Sequence, residues 1–265
     1  MIYLKTPSEI NKMRQSCQIL GSLLDSLEDI IRPGVNTLEL DEYAEDYIRS
    51  RGGVPSFKGY QIPGLKPFPG SICASVNSAI VHGIPRRDLI LAEGDIIGID
   101  VGVVLNGYHG DAARSYRVGK VSDAAENLLK ITLESLFLGI AAAVPGNRIG
   151  DISHAIGSFV AARGYFVADD LTGHGIGRNL HEEPQIPNYG KPGRGPRIAA
   201  GMTLAIEPMV NIGTNRVSEK GWEYHVADGS LSAHYEHTIL VTDSEPEILT
   251  ANPEDIRKLQ NMRKA

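Results

Sequence analysis

A chain of 265 residues, 42% hydrophobic and 22% charged, has the composition of an ordinary globular protein and the length to bury a substantial core. Its net charge of -6 argues against a nucleic-acid scaffold, which would show a strongly basic face. Two cysteines, Cys17 and Cys73, cannot make a disulfide framework, and the polar start has neither signal-peptide layout nor spanning segment, so the expectation is a cytoplasmic protein in a reducing compartment, off the membrane.

The first predicted element is a helix announced by Thr6, Pro7 and Glu9, a capping box with proline at the first helical position. Ile10, Met13, Cys17, Leu20, Leu24, Leu27 and Ile31 follow at steps of three and four, so one face is buried, and Arg32-Pro33-Gly34 stops the run. A second helix opens near Thr37, carries Leu40, Ala44, Tyr47 and Ile48, and is closed by Gly52 and Gly53. Residues 59–70, GYQIPGLKPFPG, form a Gly/Pro-rich loop of the kind that carries binding residues.

Residues 94–116, GDIIGIDVGVVLNGYHGDAARSY, read as a β-hairpin around Asn106-Gly107. With those two residues in the turn, Leu105 faces Tyr108, Asp100 faces Ala113 and Asp111 faces Gly102. Side chains alternate, so both carboxylates fall on one face as diagonal neighbours, roughly 7–8 Å apart. Asp100 lies among Ile96, Ile97, Ile99 and Val101, where an unpaired charge is too costly, so it needs a cation or strong donors. A metal pair is one answer; backbone hydrogen bonds to Asp100 with a solvated Asp111 is another.

The helical grammar then returns: a long helix from about Ser122 to Ala143, Val144-Pro145-Gly146, a shorter helix with Ile152, Ile156, Phe159 and Val160, then Gly164. Pro33 and Pro145 lie 112 positions apart, as do Gly52 and Gly164. Further on, EGDIIGID (93–100) resembles AGMTLAIE (200–207), which aligns Gly94 with Gly201 and Asp100 with Glu207. Each half contributes an acid. The echo predicts one domain over 1–265 with pseudo-repeats of about 6–118 and 119–250, strands of both halves in a shared sheet, and a charged site near the axis between them.

Four stretches of the second half carry chemistry. GHGIG (173–177) sets His174 in a backbone so rich in glycine that the chain must approach something closely. His181 opens HEEP; the position four residues on is Gln185, which excludes the helical HExxH zinc site. Glu207 closes the apolar strand 202–206 ahead of Pro208, and Glu236 lies in SAHYEHTILVT, where Tyr235, Ile239 and Val241 alternate with Glu236, Thr238 and Thr242. Asp100, Asp111, His174, Glu207 and Glu236 together make four carboxylates and one imidazole, a thiolate-free set suited to Mn, Fe(II) or Co, with Zn and Ni as further candidates. Because carboxylates bridge, the set can hold two divalent ions roughly 3.5–4 Å apart.

These motifs, VHGIP around His82, IDVG with Asp100, GYHGD with Asp111, GHGIG, HEEP, AIEP and YEHT, resemble those of the type I methionine aminopeptidases, and the likeness runs from KTPSEINKMR to the last strand. The resemblance implies a pita-bread fold of the α+β class, two pseudo-symmetric halves with a curved antiparallel sheet covered by helices. It implies that Asp111 and Glu236 bridge two metal ions, that Asp100 completes one and that His174 with Glu207 completes the other. A hydroxide between the ions would be the nucleophile, with Glu207 as proton shuttle. His82 would lie near the scissile amide nitrogen, and His181 near the carbonyl oxygen or the next residue; both are catalytic and substrate-binding in this reading. Tyr60, Phe68, Cys73 and Trp222, with Phe57 and Leu180, would wall the methionine pocket, Cys73 as a small buried surface rather than a nucleophile.

The implied activity is removal of the initiator methionine from peptides and nascent chains whose second residue is small, by a monomer working near the ribosome without binding nucleic acid itself. Proline-specific aminopeptidases and dipeptidases share the ligand set, and a non-catalytic binding protein could share the fold. Two features depart from the family pattern. Residues 61–66 lengthen a loop that is usually a short turn, and His234 stands where glutamine or glutamate is common, beside the strand of Glu236, which it could tune. His109, His154, His225 and His237 are assigned structural or surface positions.

Overall fold

The computed structural model describes residues 1–262. Thr6 caps helix α1 (Pro7–Glu28): its hydroxyl accepts from the Glu9 N–H while the Glu9 carboxylate accepts from the Thr6 N–H. Helix α2 (Thr37–Ser50) is capped by Asn36 in the same sense, and α3 (Asp123–Ala142) by Ser122. Helices α4 (Ile149–Ala161) and α5 (Pro253–Met262) complete the helical layer. All four helices expected from periodicity are present, with ends within a few residues of the Gly and Pro stops. None of the described helices is long and apolar enough to cross a membrane.

The hairpin of the first half joins strands Ile96–Leu105 and Tyr108–Arg117 in the predicted register, with Leu105 opposite Tyr108, Asp100 opposite Ala113 and Gly102 opposite Asp111. Asn106 and Gly107 both have positive φ, 54° and 77°, the conformation a tight two-residue turn requires. Cys73–Val76 and Val54–Pro55 pair along the outer edge of the first strand. Ile97, Ile99, Val101 and Val103 pack with Leu20, Leu24 and Leu40 of α1 and α2. Gly98, Asp100 and Gly102 therefore turn the other way, into the protein.

The second half builds an antiparallel five-stranded sheet in the order Glu247–Ile248, His237–Leu240, Thr203–Ile206, Thr172–Gly175 and Glu182–Pro187. Leu204, Ile206 and Ile239 pack under α3 and α4 with Phe137, Ile140, Ile152 and Ile156, which leaves Thr203, Ala205 and Glu207 on the inner face. Each half is thus a helix pair on a sheet, with opposite strand parities assigned to core and site.

The two halves do not share one continuous ladder. Their sheets meet at a seam where the Glu236 N–H donates to the Ala113 carbonyl at 2.8 Å and the Ala113 N–H returns to the Glu236 carbonyl at 3.3 Å. Thr238 reinforces it: its hydroxyl accepts from the Asp111 N–H at 3.0 Å and donates to the Asp111 carbonyl at 2.7 Å. The strand read through 232–242 is also interrupted. Ser232–His234 pairs with Met209–Asn211, His237–Leu240 pairs with Thr203–Ile206, and Tyr235-Glu236 makes the step between them, opposite the break at Pro208. Proline lacks the N–H that a ladder needs, so the sheet bends there and Glu236 is delivered to the seam. A further small sheet crosses the halves, with Ala79–Val81 paired to Glu223–Val226.

Candidate active site

The inner faces of the two halves enclose a cavity of about 560 Å³, and all five acidic and imidazole residues picked out in the sequence line it. Ligand atoms of Asp111, His174 and Glu236 lie within 4.8 Å of one another, and so do those of Glu207, His234 and Glu236. His174 Nε2 stands 3.8 Å from Asp111 Oδ2 and 3.6 Å from Glu207 Oε1.

Each of these side chains is held by an element that cannot easily yield. Asp100 and Asp111 come from the hairpin. His174 sits between Gly173 and Gly175, where an added Cβ would come within 2.4 Å of the Ala205 carbonyl oxygen and 2.2 Å of the Glu183 carbonyl oxygen. Only glycine permits that approach. His174 Nδ1 lies 2.8 Å from the Gly175 carbonyl oxygen, which can only accept; Nδ1 therefore carries the proton and Nε2 presents its lone pair to the carboxylates. The Glu207 backbone is fixed by the Asn188 side-chain amide, which donates to its carbonyl at 3.0 Å.

Burial makes this cluster electrostatically incomplete. It raises the Glu207 carboxyl to about 8 and the Asp100 carboxyl to about 7; for Asp100 the imidazole of His234 opposes the rise and the charge of Glu207 adds to it. Asp111 and Glu236 are pushed well above the carboxylate range by burial and then by the repulsion of the other acids. Asp100 Oδ1, Asp111 Oδ1 and Glu236 Oε1 are buried without a hydrogen-bond partner. No lysine or arginine lines the cavity among the described residues. Buried acids that repel one another and line one cavity with unpartnered oxygens suit divalent cations, whose charge reverses the local preference for protonation. The donor set thus fits the metal ions that its chemistry calls for.

Above the cluster stand the two other histidines. His181 packs edge-on against His174, with ring centroids 4.5 Å apart, and its Nδ1 lies 2.8 Å from the Tyr60 hydroxyl. His82 has φ of 58° and presents its ring edge-on to Trp222 and Tyr224. Burial lowers both imidazoles, His82 to about 4, so each is neutral at pH 7. Phe57, Phe68, Cys73, Leu180 and Trp222 form one apolar cluster on the cavity wall, with Tyr60 packed against it. The long loop 61–66 keeps Tyr60 and Phe68 in place because its neck is closed: the Gly59 and Phe68 N–H groups donate to the Phe68 and Tyr60 carbonyls, and Trp222 Nε1 donates to the Lys66 carbonyl at 2.8 Å.

Several features had no local signal. Asp170, Leu171 and Thr172 line the cavity where the chain enters the strand Thr172–Gly175, and Asp170 has a positive φ of 63°. Lys5 and Glu182 form a salt bridge at 2.7 Å with both side chains nearly excluded from solvent, which ties the N-terminal segment to the loop that bears His181. The partners are 177 residues apart, and no short-range pattern announces such a pair. His109 does not stand free: its Nδ1 lies 2.9 Å from the Ser56 hydroxyl. His237 is a buried structural histidine held by Thr250. His234 reaches Glu207, with Nε2 3.5 Å from Oε2.

An α+β protein of two look-alike halves closing on an acid-rich, imidazole-bearing cavity is a metal-dependent hydrolase in architecture. The chain belongs to metallopeptidase family M24, whose profile matches residues 11–243. It is 50% identical to the methionine aminopeptidase of Clostridium acetobutylicum over 94% of this chain and 99% of that one. The crystal structure of methionine aminopeptidase from Thermotoga maritima superposes with a TM-score of 0.92 at 43% identity, covering 95% of this chain and 100% of the other. The prolidase of Pyrococcus furiosus shares the fold alone, at 23% identity and a TM-score of 0.76 over 94% of this chain and 65% of that one.

Proposed function

We propose that this protein is an aminopeptidase that releases N-terminal methionine from peptides and nascent chains whose second residue is small. The observation that carries the reading is the meeting, at one end of an apolar-walled cavity, of four carboxylates and one imidazole drawn from both halves of the chain. Asp100, Asp111, His174, Glu207 and Glu236 would hold two divalent ions, of which Mn, Fe(II) and Co suit the donors best. Such ions, when bound, polarise an amide carbonyl and ease the loss of a proton from water.

The remaining steps belong to the protein. The thioether side chain of a methionine fits the wall of Phe57, Phe68, Cys73, Leu180 and Trp222, an apolar surface with few polar groups. Neutral His181 offers one N–H to the carbonyl oxygen or the next residue, and Tyr60 fixes its ring through Nδ1. Neutral His82, on the same cavity, serves the amide nitrogen. Glu207, ionised beside the ions it would help to hold, takes a proton from the attacking water and returns it to the leaving nitrogen. The same reading has the protein act as a monomer in the cytoplasm, as one catalytic unit over 1–265 made of repeats 6–118 and 119–250.

The test is hydrolysis of methionyl-alanyl and alanyl-prolyl peptides side by side, with and without a chelator. Release of methionine that chelation abolishes and Mn or Co restores is the expected result. Faster turnover of the prolyl peptide would transfer the protein to the proline-specific branch, and turnover of neither with metal present would leave a binding protein.

A further inference from the structure

His234 is an imidazole beside the acid cluster that has no part in either the ligand set or the substrate contacts proposed above. Its side chain is 2% exposed and its Nε2 is buried without a hydrogen-bond partner. The backbone that carries it is doubly held: the Ser115 hydroxyl accepts from the His234 N–H at 3.0 Å and donates to the His234 carbonyl at 2.9 Å. His234 also pairs in register with Met209, two residues past Glu207. The imidazole is therefore presented to the cluster by strands from both halves.

Its distance from Glu207 distinguishes two kinds of contact. A hydrogen bond between nitrogen and oxygen spans about 2.7–3.2 Å. Two atoms that each lie about 2.0–2.2 Å from a shared ion at a tetrahedral angle stand roughly 3.4 Å apart. His234 Nε2 is 3.5 Å from Glu207 Oε2, and His174 Nε2 is 3.6 Å from Glu207 Oε1. The Glu207 carboxylate thus has an imidazole nitrogen facing each of its oxygens at the spacing of co-ligands. His234 also falls in a group with Glu207 and Glu236 whose donor atoms all lie within 4.8 Å of one another.

We propose that His234 is a sixth metal-binding residue, which would join Glu207 and Glu236 in holding a divalent ion. The inference rests on the metalloenzyme reading above and refines it. With His174 facing Oε1 of Glu207 and His234 facing Oε2, both would offer an imidazole nitrogen to the ions the cluster holds. A site with a nitrogen ligand holds late first-row ions such as Co more firmly than an all-oxygen site does.

The experiment titrates metal-stripped protein with Co(II), reading heat by calorimetry and the visible absorption of bound Co(II), in the wild-type and His234→Gln proteins. Glutamine keeps a polar group of similar reach and removes the imidazole; His234→Asn is the second variant should the first fail to fold. The expected result is one equivalent bound as in the wild type and the other weakened about tenfold or more, with an altered absorption band for that equivalent alone. Two variants that superpose on the wild type in both heat and spectrum overturn the assignment while leaving the metalloenzyme intact. A wild-type protein that takes up no Co(II) overturns both.

Discussion

The two halves of the molecule supply the site in different ways. The first half delivers Asp100 and Asp111 from a single hairpin, ten ladder pairs in unbroken register around one two-residue turn. The second half delivers His174, Glu207 and Glu236 from three separate strands, each at an irregularity: a register shift between His174 and Gly175, the break at Pro208, and the step at Tyr235-Glu236. Continuous pairing keeps acids at fixed alternate positions. Irregular pairing re-aims single side chains, which is how strands that also carry a helix-facing core can turn three ligands toward one point. The hairpin acts as a fixed reference, and the second half is fitted to it across the Ala113–Glu236 seam.

Substitutions can separate these contributions. The largest expected effect is on the fitted half: Glu207→Gln keeps the shape of the side chain and removes its proton-carrying ability, so kcat should fall by roughly 10²–10⁴-fold with the circular dichroism spectrum unchanged. Retention of wild-type turnover would remove Glu207 from its role.

Next is the Lys5–Glu182 bridge, which holds the His181 loop from a distance. Lys5→Met leaves the Glu182 carboxylate buried without its cation, and loss of one partner of a buried pair costs about 3–5 kcal/mol. A thermal melt should show this loss, and KM for methionyl peptides should rise as the loop carrying His181 loosens. A melting temperature within a degree of wild type would show the bridge to be dispensable.

A third test reads the charge cluster itself. In metal-free protein, Asp100 and Glu207 keep their protons up to about pH 7 and about pH 8, whereas in the unfolded chain they lose them near pH 4. Between those limits the folded state binds more protons than the unfolded state, so the stability contributed by these groups is present below about pH 4 and declines as pH rises toward 8. Melts in chelator should therefore fall across this window, and added Mn should cancel the fall because the ions bind the deprotonated form. Parallel pH profiles with and without Mn would contradict the account of the cluster.

Smaller effects should come from the hairpin turn and the histidine above the site. Gly107→Ala places a Cβ on a residue with φ of 77° and should destabilise by about 1–2 kcal/mol, without changing kcat in the protein that remains folded. Tyr60→Phe removes the hydroxyl at His181 Nδ1, worth about 1 kcal/mol. It should lower kcat/KM severalfold and leave metal affinity as it was. A change in metal affinity instead would mean that Tyr60 acts on the cluster rather than on His181.

Much of this was legible in the chain because the relevant signals are local. The Thr6-Pro7-Glu9 cap and the Asn106-Gly107 turn depend on neighbours within a few residues, and the echo at 112 positions repeats local stop signals of the same kind, so the four helices and the register that places Asp100 beside Asp111 followed from sequence. Close packing around His174 was announced by its flanking glycines. The resemblance to a known family supplied expected roles, and the residues it pointed to for metal, substrate and pocket line one cavity together.

What only the tertiary structure decided are the contacts between distant segments. The sequence could not say that the sheets would meet at a seam instead of forming one ladder, because that depends on the bend at Pro208 against the step at Tyr235-Glu236. It could not pair Lys5 with Glu182, or show that His234 faces Glu207 at 3.5 Å. Alternation along a strand sets which face a side chain occupies; what it meets there is set by the packing of two sheets, and that has no counterpart in any short run of residues.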